Sequence, residues 1–449
     1  MKNRWTLVAF LAFHTFYLPA QQESGSAPLK GQAAASPAVL RLDDVVREAL
    51  EKNPEAQGAL HAISALQRRL PQAQALPDPM VSVGWAGNIA PFSTMPRDPS
   101  SYRGLTISEQ FPYPGKLKLQ GAIAGKDVEA AQTDYEAIRR RVTAEVKAAF
   151  YEYFYYGKAI QATSQNKELL EKLSKIAEAQ YRVGQAMQQD VLRSQVEISM
   201  LIEKLTVLEQ QKATAQARIN AYLQQSPEEP LRPAEEVQPG NIRDSLDDLY
   251  TMAGEHDTTT ARNEKMIDRS KLEISLAQRQ YRPDFGVSYM YQQRTEQPDM
   301  NGFTFTVNVP VFYKNKQRQA VAEASENLAS AEKMRDNRLN EVRFELKREY
   351  LAAKAAERLL SLYSKGVIPQ SSLALESSMS AYQVGKVDFL SLLANFTTLL
   401  NYETDYYRQL ADYQTAIAQI ESLTGTEITG APAATDPAPS APIAANKEM

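Results

Sequence analysis

Asp284-Phe-Gly-Val-Ser-Tyr-Met-Tyr-Gln-Gln293 puts Phe285, Val287, Tyr289 and Tyr291 on one parity and Gly286, Ser288, Met290 and Gln292 on the other. A β-strand turns successive side chains to opposite faces, so this stretch reads as a strand with one aromatic, apolar face and one small or polar face. Phe303, Phe305, Val307 and Val309 oppose Thr304, Thr306 and Asn308 in the same way. The pattern also occurs earlier in the chain. Val81, Val83 and Trp85 alternate with Ser82, Gly84 and Ala86, and Leu105, Ile107 and Phe111 with Thr106, Ser108 and Gln110. Glu109 is the one discordant residue. Strands are expected over 80–90, 102–112, 284–293 and 302–312.

The recurrence extends beyond the strands. Asp43-Asp44 answers to Asp247-Asp248, Pro77-Asp78 to Pro283-Asp284, and Tyr181-Arg-Val-Gly184 to Tyr382-Gln-Val-Gly385. Offsets run from 198 (Pro112 to Pro310) to 206 (Pro77 to Pro283). One structural unit is therefore used twice.

Helices fill the space between strands. From Gly115 to Arg182 there is no proline, and Val128, Ala131, Tyr135, Ile138, Val142, Val146, Ala149 and Tyr153 recur in steps of three and four. That seam predicts a helix roughly 100 Å long. A second seam, Leu201, Leu205, Leu208, Ala215, Ile219 and Tyr222, follows the turn at Gly184. The two shorter helices of each repeat nearly match the long one when stacked beside it. In repeat two, Gly366-Val-Ile-Pro369 is expected to kink the long helix.

Composition excludes several functions. The 449 residues carry a formal charge of -4, which offers no basic patch to nucleic acid. With no cysteine, disulfides, thiolate metal sites and lipidation are ruled out. Of three histidines, His14 lies in the first twenty residues, leaving His61 and His256. That rules against a histidine-based metal or catalytic cluster, and no cofactor is expected. Lys2 and Arg4, the apolar stretch Trp5 to Leu18, and Leu18-Pro-Ala20 read as a secretory signal with its cleavage site. The resulting division is a signal peptide over 1–20, a flexible segment over 21–38, a first repeat over 39–225, a linker over 226–241, a second repeat over 242–424 and a flexible tail over 425–449.

An exported chain with strands of about ten residues and aromatics on their apolar face fits a membrane barrel with a polar lumen. Four strands do not close a barrel in lipid, where every edge must be paired. Two copies give eight strands, whose interior is filled by side chains; three copies give twelve and leave an aqueous lumen. A trimer is expected.

The order of these features resembles the TolC-like outer-membrane efflux factor family over about residues 40–425. Leu76-Pro-Asp-Pro-Met80, Glu109-Gln-Phe-Pro-Tyr-Pro-Gly-Lys-Leu117 and Tyr382-Gln-Val-Gly-Lys-Val-Asp-Phe-Leu390 are most similar to its heavy-metal efflux branch. The resemblance implies a mainly α fold with a membrane β-barrel. Long antiparallel helices form an α-barrel, and four transmembrane strands per chain complete a 12-stranded barrel as a homotrimer. It implies an energy-independent duct in the outer membrane of a Gram-negative bacterium, with its helical tunnel in the periplasm. That duct meets a periplasmic adaptor protein and, through it, an inner-membrane pump of the resistance-nodulation-division type. Heavy-metal cations are one cargo, and drugs, other small molecules or secreted proteins the alternative. A stand-alone porin needs more strands, and a free coiled-coil rod needs none.

By the same resemblance the adaptor-facing tip comprises Tyr181, Arg182, Val183 and Gly184 with Tyr382, Gln383, Val384 and Gly385. In place of the acidic pair often found at the start of the last helix stand Ser391 and Ala394. Asp190 keeps an acid in repeat one. The periplasmic gate is therefore assigned to Asp190, Tyr382, Lys386 and Asp388.

Overall fold

The computed structural model describes residues 39–88, 94–96 and 98–430. The expected signal peptide, the segment 21–38, the end of the first expected strand and most of the tail lie outside the described residues. In repeat one, α1 (Leu42–Lys52) and α2 (Pro54–Gln74) lead to β1 (Met80–Ala86) and β2 (Tyr102–Phe111). The long α3 (Lys116–Arg182) and α4 (Gln188–Tyr222) follow. A two-residue strand, β3 (Asn241–Ile242), opens repeat two. Then come α5 (Leu246–His256), α6 (Thr258–Arg279), β4 (Asp284–Gln293), β5 (Met300–Asn308) and α7 (Gln317–Leu362). After α7 a π-turn (Tyr363–Val367) runs into α8 (Ile368–Gln383), and α9 (Phe389–Thr424) precedes β6 (Thr429–Gly430).

The same device starts the second helix of both repeats. Asn53 Oδ1 accepts from the Ala56 N–H at 3.0 Å, and Asp257 Oδ2 from the Thr260 N–H at 2.7 Å. Each closes one orphan donor of a helix N-terminus and fixes the bend between the paired helices. The kink expected at Gly366–Pro369 takes the form of the π-turn. Pro369 has no N–H for the Lys365 carbonyl, and the ladder widens by one residue there. Pro71, by contrast, lies inside α2 without ending it.

Helix columns follow the order of the strands. β1, β2, β4 and β5 form one antiparallel sheet in that order. α2 and α4 pack on α3, α3 packs on α6 and α9, and α7 and α8 complete the layer through α6 and α9. The long helix of each repeat therefore lies beside two shorter ones, as their lengths suggest. Both layers share the same open edges, β1 above the α2/α4 column and β5 above the α7/α8 column.

Two buried clusters hold the helices. One joins Val45 and Ala49 of α1 to Val142, Val146 and Phe150 of α3 and Ile219 of α4. The other joins Phe154 and Leu170 of α3 to Leu346 of α7 and Leu392, Phe396 and Tyr413 of α9. The lower half of the α3 seam is thus buried, while Val128 and Ala131 are only half-buried. The linker between the repeats straps both clusters. Tyr413 Oη donates to the Gly240 carbonyl at 2.9 Å, Tyr153 Oη to the Leu231 carbonyl at 3.2 Å, and β3 pairs with β6. Gly425–Gly430, assigned to the flexible tail by composition, therefore includes a paired strand.

One buried polar contact carries a pH prediction. Asn166 Nδ2 donates to Glu403 Oε2 at 3.2 Å between α3 and α9. Burial raises the Glu403 carboxyl above its ordinary 4.5, and the Asn166 contact only partly offsets this. An acid with a raised folded value destabilises the fold as it ionises, so stability falls as pH rises from about 4.5 through that value. Glu403→Gln keeps an acceptor for Asn166. Its melting temperature should exceed the parent's at pH 7 and match it at pH 4 in a thermal scan.

Candidate functional site

The sheet carries one continuous apolar face. Val81, Ile107, Tyr289 and Phe303 stand side by side across all four strands. The next rows are Val83, Leu105, Tyr291 and Asn301 toward the loops, and Glu109, Val287 and Phe305 toward the helices. Phe111, Phe285 and Val307 end the face. The opposite face is small or polar, with rows such as Ser108, Ser288 and Thr304 or Gln110, Gly286 and Thr306. Glu109 thus falls one row inside the helix end of the apolar face. Val83 is 85% exposed and Phe303 80%, so this face finds no cover among the described residues. Among the described residues no helix is long and apolar enough to cross a membrane.

At the other end of the long helices lie the two Tyr-x-Val-Gly turns. Each is a Schellman motif. The Gly184 N–H donates to the Tyr181 carbonyl and the Gln185 N–H to that of Gln180; Gly385 and Lys386 do the same to Tyr382 and Ala381. Gly184 at φ +74° and Gly385 at φ +71° supply the left-handed residue that such an end requires. The hairpins are then pinned internally, by Ser174 and Ser194 Oγ at 2.7 Å and by Asn395 Nδ2 to Ser378 Oγ at 2.6 Å. Gln180 Nε2 donates to the Tyr382 carbonyl at 3.5 Å, which places the two turns side by side.

Tyr181, Arg182, Val183, Gly184, Gln383, Val384 and Gly385 are exposed at this tip. Tyr382 is the correction: it is only 4% exposed, so its side chain packs inward rather than facing a partner. Phe389 is the cause, its ring centroid lying 5.5 Å from that of Tyr382. Repeat one has Gln188 in the place of Phe389, and Tyr181 there is 43% exposed. Burial, then the charge of Asp190, pushes the Tyr382 hydroxyl up to about 12. It stays neutral and finds no hydrogen-bond partner among the described residues.

The other residues expected at the gate differ in their contacts. Asp388 caps α9, accepting from the Ser391 N–H at 2.9 Å, and hydrogen bonding from the Ser391 side chain, then from its N–H, holds the carboxyl below the usual range. In repeat one the N-cap is Met187, and Asp190 reaches back to the Met187 N–H at 3.4 Å. The acid has moved from the third helical position to the cap, which accounts for Ser391 standing where repeat one has Asp190. Lys386 is exposed beside this cap.

Sequence reasoning missed a second apolar stripe. Leu192, Val196 and Met200 project from α4, and Leu351, Leu362 and Leu373 from α7 and α8, all half or more exposed. Leu351 and Leu362 stand eleven residues apart, the period of a nearly straight helix face, and the π-turn that follows rotates Leu373 off their line. Both sets belong to the helices at the open edges of the layer. Recurrence at four and eleven was legible, but the buried seams on the same helices mask it. No group of histidine, cysteine or acidic side chains among the described residues forms a metal site.

Residues 45–224, nearly the whole first repeat, match the family model described as outer membrane efflux protein. Over this stretch the chain is similar to that family. Solved channels carry the same fold over most of its length. CusC, described for its transmembrane channel formation, is 13% identical with a TM-score of 0.73, covering 85% of this chain and 91% of its own. The outer membrane protein VceC of Vibrio cholerae is 16% identical at a TM-score of 0.71, covering 86% and 96%. The outer-membrane channel OprN is 17% identical at 0.69, covering 91% and 98%. No curated protein matches the sequence. At these identities the likeness to solved structures speaks for fold, and the second repeat extends the matched plan to the rest of the chain.

Proposed function

We propose that the protein is the outer-membrane exit duct of a tripartite efflux system, closed as a homotrimer. The observation that carries this is the coincidence of open edges. The strands alternate in direction, so β5 of one copy meets β1 of the next antiparallel, and the same approach covers the exposed stripes of α4 and of α7/α8. Three copies make a 12-stranded barrel and a tunnel about twelve helices wide. The uncovered apolar face then meets outer-membrane lipid, and the small, polar face lines an aqueous path.

The two side-by-side hairpins form the end that docks on a periplasmic adaptor and, through it, an inner-membrane pump of the resistance-nodulation-division type. Cargo delivered by that pump passes without energy input. The heavy-metal-like stretches around Pro77, Pro112 and Tyr382 make metal cations the first cargo to test, ahead of drugs or proteins. In the gate, Lys386 and Asp388 supply charge at the constriction, while Tyr382 sets the packing of its hairpin. Asp190 acts as a helix cap and through its charge.

Conductance of the purified protein in planar bilayers tests both the duct and its gate. The parent should insert as a trimer and conduct poorly. Lys386→Ala with Asp388→Ser should raise single-channel conductance several-fold; serine retains the cap, whose loss costs about 1 kcal/mol. A soluble monomer that never inserts would contradict the duct. Unchanged conductance at normal trimer yield would reduce the two charges to solvated surface residues.

A further inference from the structure

The chain has a net negative charge, yet the junction between β4–β5 and the helices is basic. Arg282, Lys314, Lys316 and Arg318 are exposed there, Arg282 two residues before β4 and the other three within ten residues after β5. Among the described residues none of the four meets an acidic partner. The nearest strand-end acid, Asp284, is already taken by Lys116 at 2.8 Å and by the Tyr113 N–H at 2.7 Å.

Aromatic side chains occupy the same level. The rings of Tyr281 and Tyr313 lie 6.3 Å apart, and Phe312 is 81% exposed. Tyr113 continues the apolar face of the sheet, its ring 6.5 Å from that of Phe285. An amphipathic ring at the edge of an apolar face suits the headgroup level of a bilayer, and an unpaired cation one step further suits a phosphate.

We infer that this collar binds the headgroups of anionic phospholipids in the leaflet on the helix side of the membrane. The inference rests on the sheet being lipid-facing. The occupant is lipid rather than soluble phosphate because the cations border an apolar face that already requires acyl chains. Each copy contributes four unpaired cations, so a trimer presents a ring of twelve (three times four). Such a ring concentrates anionic lipid around the barrel and fixes its height in the membrane.

Spin-labelled lipids test this with the full-length protein reconstituted in phosphatidylcholine. The motionally restricted fraction of labelled phosphatidylglycerol should exceed that of labelled phosphatidylcholine by about fivefold in relative affinity, the worth of one basic residue at an anionic surface. The preference should fall toward unity in 1 M salt. In the variant Arg282→Gln, Lys314→Gln, Lys316→Gln, Arg318→Gln it should also vanish, while restricted phosphatidylcholine remains and reports a folded, inserted barrel. Equal affinity for the two labels in the parent would overturn the collar and leave the barrel standing. A variant that keeps the full preference would overturn the assignment to these residues. If neither label is restricted, the sheet does not face lipid, and the barrel falls together with the collar.

Discussion

Phe303→Arg should lower the unfolding free energy of the lipid-inserted protein by about 2–4 kcal/mol, the cost of a cation at the bilayer midplane. Phe303 lies in the row with Val81, Ile107 and Tyr289, near the middle of the strands and on the apolar face. Thr304→Arg, one residue on but on the opposite face, should cost far less, because water in the lumen solvates the guanidinium. Phe305→Arg should fall between them. Its row contains Glu109 and stands nearer the helix end, where the penalty shrinks to about 0–1 kcal/mol. Denaturant titration of protein folded into vesicles measures all three. Equal sensitivity at Phe303 and Thr304 would remove the distinction between a lipid face and a lumen face.

The second large effect is expected at the opposite end. Val183 is 69% exposed and Val384 66%, each one residue before the left-handed glycine that ends its helix. Their φ values of -97° and -103° are open to any side chain, so a substitution there does not strain the turn. Val183→Glu with Val384→Glu should leave trimer yield unchanged and abolish export in cells that carry the pump and adaptor. Substrate resistance and cross-linking to the adaptor are the readouts. Normal resistance with both charges present would place docking elsewhere on the helices.

Much of this organisation is legible in the sequence because strands and long helices leave different periods. The apolar alternation from Phe285 to Tyr291 sets the register that the sheet then shows, and the steps from Val142 to Tyr153 set the buried seam of α3. The boundaries are less legible. Alternation runs on through Val309 and Val311, but Pro310 has no N–H for a ladder, and β5 ends at Asn308. The two-residue strands β3 and β6 are too short to have a period. The tip shows the limit most clearly. Tyr181 and Tyr382 sit in the same motif, and only the residue seven positions later, Gln188 or Phe389, decides which tyrosine is exposed. A motif read alone does not contain its packing partner.

The central claim is closure of identical copies through β1 and β5, and the absence of cysteine makes it directly testable. A cysteine at Val83 in β1, paired in turn with one at Phe303, Phe305 or Val307 on the same face of β5, samples the registers open to neighbouring copies. Oxidation of the membrane-inserted protein should, in at least one register, give a ladder ending at three chains, about three times 50.1 kDa before processing. A ladder continuing past three chains, or no cross-link in any register, would contradict a closed barrel of three copies.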